Sequence, residues 1–325
     1  MKISILSILL FAVVVMAAEL PLVQVEGKNF TVNGEPTVFE GLATSDPDKL
    51  DKDGHWDQNH FEQAAAWGAK VIRFAVHPRA WRERGEANYL LLLDDGIRWA
   101  DENDMYVIID WHSIGNLWNQ KFQHEMYETT LQETYDFWRI IARRYSGNTT
   151  VAFYELFNEP TISGERFGTC TWEQWQELVG QIIAVVRAWD KDTVVLVTGF
   201  NWGYDLKPVR WQPFTQRNLG YTVHPYPQKR PEPWVNDWED DWGFVADSYP
   251  LFATELGFMS EDDKGAHVPT IGDETYGRTL VDYFEEKNIS WMPWCFDPDW
   301  YPTLISDWDY TPTRQGKFFK KKIKD

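Results

Sequence analysis

The sequence predicts an α/β protein folded as a single (β/α)8 barrel, the TIM-barrel architecture, with a short N-terminal β-hairpin cap. Three observations predict it. Eight short runs rich in β-branched, apolar and aromatic residues alternate with helical stretches, and repeated strand–helix units pair in parallel with right-handed crossovers. Beyond residues 1–18 there is no Pro/Gly/Ser linker, low-complexity tract or internal repeat, and one α/β barrel commonly takes a chain of 325 residues. No Gly-rich dinucleotide turn follows the first strand, which disfavours the rival open, doubly wound sheet.

The elements follow in order. Residues 1–18 read as a secretory signal peptide: Lys2, an apolar run from Ile3 to Val15, then the small residues Ala17 and Ala18 at the cleavage point. The run is too short for a spanning helix. The mature chain, 19–325, is expected to be one exported, soluble domain, a monomer with no membrane partner. Asn33-Gly34, between Phe30-Thr31-Val32 and Thr37-Val38-Phe39, signals a tight hairpin turn that covers the N-terminal end of the barrel. Strands are expected at 37–41, 70–76, 106–111, 151–158, 193–199, 221–224, 251–255 and 290–296. Helices are expected at 58–67, 92–103, 130–145, 172–189 and 277–287, with Thr171 an N-cap ahead of acidic Glu173. After the fifth strand, 202–217 reads mostly as loop.

Composition excludes some functions. Acidic residues outnumber basic ones, 50 to 31, for a formal charge of −19, which argues against nucleic acid. The two cysteines, Cys170 and Cys295, are expected to be small buried hydrophobes, although sequence leaves their pairing open. No His/Cys group has metal-ligand spacing, so neither a metal nor a cofactor is expected. The acidic stretch 46–57 lacks the order of an EF-hand and reads as a solvated rim loop. No Gly-rich phosphate cradle follows the last two strands.

The chemistry concentrates at strand ends. The apolar run from Val151 to Phe157 delivers Asn158 and Glu159 and is then stopped by Pro160, which cannot extend a central strand. Phe252-Ala253-Thr254-Glu255 repeats the pattern. A carboxylate at the end of a buried strand is costly unless it has partners or a chemical task. A closed barrel brings two such carboxylates together, as glycoside hydrolysis requires. The other strand ends carry Arg73, Asp110-Trp111-His112, His224-Pro225-Tyr226 and Trp294, all on the rim where barrel active sites form.

Taken in order, Val71-Ile72-Arg73-Phe74, Ile109-Asp110-Trp111-His112, Phe157-Asn158-Glu159-Pro160, His224-Pro225-Tyr226 and Thr254-Glu255-Leu256-Gly257 resemble the motifs of glycoside hydrolase family 5 across essentially the whole mature chain. The resemblance implies that Glu159 is the acid/base and Glu255 the nucleophile of a retaining β-glycosidase. Arg73 is then the natural cation for Glu255, or a neutraliser of buried Glu155, and Tyr226 a donor to the nucleophile. Asn158 resembles the family residue that binds the sugar 2-hydroxyl. His112 and His224 resemble its rim histidines, and Trp294 fits a platform under the sugar of the cleaved subsite. Asp110 reads as a supporting residue. The implied substrate is a β-linked polysaccharide, a β-1,4-glucan cut internally. Mannan and other β-glycans, transglycosylation, and a carbohydrate-binding barrel without catalysis are the alternatives.

Nineteen tryptophans form a separate signal, and Trp118, Trp202, Trp211, Trp234, Trp238, Trp242 and Trp300 fall in expected loops. Most are expected to pack those loops on the barrel. Trp202 and Trp300, nearest the ends of the fifth and eighth strands, are the candidates for stacking further sugars.

Overall fold

The computed structural model describes residues 19–161 and 166–324; the expected signal segment lies outside them. Eight parallel strands form one sheet: β1 (Gly41–Thr44), β2 (Val71–Val76), β3 (Tyr106–Trp111), β4 (Val151–Glu155), β5 (Val194–Thr198), β6 (Leu219–Thr222), β7 (Leu251–Ala253) and β8 (Ser290–Trp291). Each pairs with its sequence neighbour. The sheet closes through a parallel bridge between Glu40 and Trp291 and a hydrogen bond from Phe296 N to Ala43 O of 2.8 Å.

Alternation along the strands explains what fills the barrel. Side chains of period two share a face. Val71 and Ala75, Tyr106 and Ile108, Phe153, Leu196 and Phe252 belong to one apolar cluster inside the strands. Arg73, Asp110 and Glu155 occupy the same parity and form a fully buried polar layer above it. At the opposite end Phe30 packs edge-on against Phe153, with centroids 5.2 Å apart, and plugs the bottom. A Cβ at Gly220 would lie 2.7 Å from the Phe30 ring, so this close approach requires glycine.

The outer layer contains α1 (Gln58–Ala66), α2 (Glu86–Glu102), α3 (Leu131–Tyr145), α4 (Trp172–Arg187), α5 (Val235–Asp241), α6 (Glu274–Lys287) and α7 (Arg314–Lys324). Thr171 caps α4 in a reciprocal capping box with Gln174. No full helix follows β5, only a turn at Phe200–Gly203 and a 3-10 turn at Lys207–Arg210.

Several expectations are corrected. The first strand runs Gly41–Thr44, not 37–41, because residue 41 onward pairs with β2. The fourth strand stops at Glu155. Asn33 and Gly34 do form a left-handed turn, with φ of 55° and 80°, but the cap has three strands, since Val23–Glu26 pairs with Asn29–Val32. The stretch 46–57 is no solvated loop. It contains a helical segment, Pro47–Lys52, and Asp46 and Asp48 are buried against cationic and hydroxyl partners. Trp238 and Trp242 are buried core around α5, facing Tyr276 and Tyr283, because their spacing of four aligns them on one helix face. Trp211 is 77% exposed. The two cysteines are free, Cys295 buried and Cys170 only half-buried.

Among the described residues no helix is long and apolar enough to cross a membrane.

Candidate active site

Arg73 organises the floor of the site. Its side chain is fully buried and its fork reaches three carboxylates: Nε to Glu155 at 2.6 Å, Nη1 to Glu255 at 2.9 Å and Nη2 to Asp110 at 3.0 Å. Nη2 also donates to Asn158 Oδ1 at 2.6 Å. Both roles open to Arg73 in the sequence are therefore occupied at once. Burial alone would push the Glu155 carboxyl up, but Arg73 and His224 overcome it and hold it at about 2. Asn158 is left with a buried Nδ2 that has no hydrogen-bond partner, a donor available to a ligand.

Glu159 leaves the barrel sheet. The chain breaks after Glu155, and Glu159-Pro160 joins a small second sheet by pairing with Ile114 and Gly115. Its backbone N–H donates to Ser113 O at 3.0 Å. This register holds the carboxyl over the barrel mouth beside His224, whose Nδ1 lies 3.0 Å from Glu159 Oε1. The far nitrogen of His224, Nε2, is 3.0 Å from Thr254 Oγ1, and that hydroxyl donates to Glu155 Oε1 at 2.7 Å. A hydroxyl has one proton to give, so Thr254 accepts from His224 and Nε2 carries a hydrogen. Burial would lower the His224 pKa; Glu255, Glu155 and Glu159 overcome it and raise it to about 9. One proton thus resides in the Nδ1–Oε1 bond at neutral pH.

Glu255 sits at the end of β7. Arg73 takes one oxygen, and Tyr226 donates its hydroxyl to the other at 3.1 Å. Its pKa is nevertheless raised, by burial first and then by the neighbouring carboxylates, against His224 and Arg73. Arg73 does stand beside Glu255 as its cation, but the one guanidinium is divided among three carboxylates. Donor atoms of Glu159, His224 and Glu255 all lie within 4.8 Å of one another. That spacing alone would suit a cation, but His224 and Glu159 already face each other and Glu255 is held by Arg73 and Tyr226.

The remaining expected residues lie around the same cleft, about 810 Å³ in volume, that Glu159 and Glu255 line. His112 donates from Nδ1 to Asp110 Oδ2 at 2.6 Å, and burial holds it neutral. Trp294 stacks on His112, rings 6° from parallel, and Trp300 lies 6.1 Å from Trp294. Trp202 also lines the cleft and donates from Nε1 to Gln123 Oε1 at 2.7 Å.

Sequence reasoning missed Tyr127, Gln123 and Lys229, which line this cleft, and His77, which packs behind it against His112, Tyr127 and Trp300. His77 immediately follows β2, so a reading of strand ends extended by one residue would have found it. The other three come from loops and carry no local signal.

Residues 30–299 match the model of the cellulase family, glycosyl hydrolase family 5. The chain belongs to this family. The crystal structure of a beta-glucanase from Saccharophagus degradans is 42% identical, with a TM-score of 0.93 over 98% of this chain and 97% of that one. The same protein has been solved in complex with cellotetraose. Endoglucanase A of Butyrivibrio fibrisolvens is 29% identical over 205 residues, 61% of this chain and 43% of that protein. Endoglucanase C of Evansella cellulosilytica is 30% identical over 86% of this chain and 36% of its own length. The chain thus spans less than half the length of these two curated relatives.

Proposed function

We propose that the protein is a secreted, retaining β-glycosidase of the endo-β-1,4-glucanase type, acting by double displacement with Glu159 as acid/base and Glu255 as nucleophile. The observation that carries the reading is the approach of the Glu159 and Glu255 oxygens to within 4.8 Å across an aromatic-lined cleft. Retaining enzymes place their carboxyls ~5–5.5 Å apart, whereas inverting ones leave ~6.5–9.5 Å for a water. The similarity to a beta-glucanase that binds cellotetraose supports a β-glucan as substrate.

Each residue then has a task. The proton shared by His224 and Glu159 moves to the leaving glycosidic oxygen while ionised Glu255 attacks the anomeric carbon. Tyr226 and Arg73 orient the attacking carboxylate. The free Nδ2–H of Asn158 serves the 2-hydroxyl, a contact that strengthens in the transition state. His112, neutral with its Nδ1–H committed to Asp110, offers Nε2 to a sugar hydroxyl. Water then cleaves the glycosyl ester, with Glu159 as base. Trp294, Trp300 and Trp202 stack sugar rings.

The test is reducing-sugar release by the mature protein on soluble cellulose, mixed-linkage glucan, mannan and xylan, with Glu159→Ala as control. Release from the glucans, lost in the variant, is expected. Release confined to mannan or xylan would overturn the substrate, and no variant-sensitive release on any of the four would overturn the activity.

A further inference from the structure

The turn after β5 is held in an unfavourable backbone conformation. Asn201 (φ 59°, ψ 50°) and Trp202 (φ 54°, ψ 57°) are both left-handed. Asparagine tolerates this region, but a bulky residue there is an outlier that surrounding contacts must maintain. On the backbone, Tyr204 N donates to Phe200 O at 2.9 Å and His224 N to Gly203 O at 2.8 Å, which fixes the turn's exit. The strained pair itself is held by side chains. Gln123 takes the indole N–H, and the edge of Phe167 lies against the indole, with centroids 5.9 Å apart.

The third hold is Lys229, from the Pro227–Lys229 turn after β6. Its ammonium donates to Asn201 O at 2.8 Å and lies 5.6 Å from the centroid of the Trp202 ring. This lysine is half-buried and lines the cleft. The acidic groups that act on it are Glu159 and Glu255, the two carboxyls assigned to the chemistry. An ammonium has three N–H donors, and the carbonyl of Asn201 uses one. A cation kept in a cleft beside the general acid, in place of a neutral residue, requires a reason. Burial lowers its pKa and so works against the charge.

We propose that Lys229 is a positioning residue for the leaving-group side of the cleft: it clamps the Asn201 carbonyl, fixes Trp202 as the platform for the departing sugar, and presents its remaining N–H groups to that sugar's hydroxyls. The inference rests on Glu159 being the general acid. Trp294 and Trp300 come from the segment after β8, and Trp202 and Lys229 from the turns after β5 and β6, so the two groups line different stretches of the cleft wall. A sugar chain bound across the mouth would contact one stretch on each side of the cleaved bond.

The test compares Lys229→Met and Lys229→Arg with the parent on cellotetraose, which needs a sugar in the leaving subsite, and on an aryl cellobioside, which does not. The expected result is a loss of kcat/KM for Lys229→Met that is about tenfold larger on cellotetraose than on the aryl substrate, the size of one lost charged hydrogen bond. Lys229→Arg is expected to recover most of it. Equal losses on both substrates would overturn the inference, as would no loss on either. A thermal unfolding curve identifies a Lys229→Met chain that does not fold; the structure of Lys229→Arg then decides, since a Trp202 turn held without contact to residue 229 would overturn the proposal. An inactive parent would instead count against the glycosidase reading itself.

Discussion

Replacing Thr254 by valine removes one hydroxyl from the hydrogen-bond relay behind Glu159, the proposed general acid, and keeps the shape of the side chain. Thr254 Oγ1 sits 3.0 Å from His224 Nε2 and 2.7 Å from Glu155 Oε1. Without it the Nε2–H loses its acceptor, since Glu155 Oε1 is 3.6 Å from that nitrogen. A hydrogen bond to a charged group contributes about 1.5–3 kcal/mol, and about 1.4 kcal/mol corresponds to one pKa unit. The neutral ring keeps its Nε2–H, so only the extra strength of the charged bond, about 1–1.5 kcal/mol, counts, and the His224 value near 9 is expected to fall by about one unit. Activity needs the proton in the His224–Glu159 bond, so it is present below this pKa and lost as pH rises through it. The acid limb depends on ionising Glu255, whose raised pKa is set mainly by burial, and it stays in place. The assay is the pH profile of kcat/KM on soluble mixed-linkage glucan for parent and variant. An alkaline limb that does not move, with activity merely scaled down, would refute the relay.

Other outcomes follow from the same contacts. Glu255→Gln is expected to reduce glucan turnover by about a thousandfold or more while leaving cellotetraose binding by calorimetry measurable. Trp300→Ala is expected to lower kcat/KM on long glucan more than on a short aryl glycoside, and equal losses would remove it from the substrate path. Trp238→Ala deletes a buried indole packed on Tyr276 and Tyr283, and a chemical denaturation curve is expected to show a loss of about 3–5 kcal/mol. His60 is buried between Thr44 and Tyr310, and burial lowers its pKa to about 3 from 6.5. The unfolded chain binds this proton first, so the contribution of His60 to stability is complete above 6.5 and is lost as pH falls toward 3. Melting temperature is expected to fall on acidification through this window, less steeply in His60→Gln.

The barrel and the residues on its rim were legible because strand ends are local signals. Period-two alternation places Arg73, Asp110 and Glu155 inward, and Glu159 follows shortly after the end of β4. Relations between distant residues were not legible. That Arg73 serves three carboxylates depends on strand register, and the raised pKa of Glu255 follows from burial first and then from the carboxylates that the fold gathers around it. The stretch 46–57 looked solvated because the partners of its buried carboxylates, Arg84 and Tyr89, come from elsewhere in the chain. Trp238 and Trp242 looked like loop residues because α5 is only seven residues long. Lys229 and Gln123 reach the cleft from turns whose paths no short-range pattern specifies.

The central claim is that Glu159 and Glu255 are spaced for double displacement. The most direct measurement follows the anomeric proton of the first product released from cellotetraose by nuclear magnetic resonance, before mutarotation sets in. The account predicts the β-anomer. Initial release of the α-anomer would mean single displacement by water, and would contradict it.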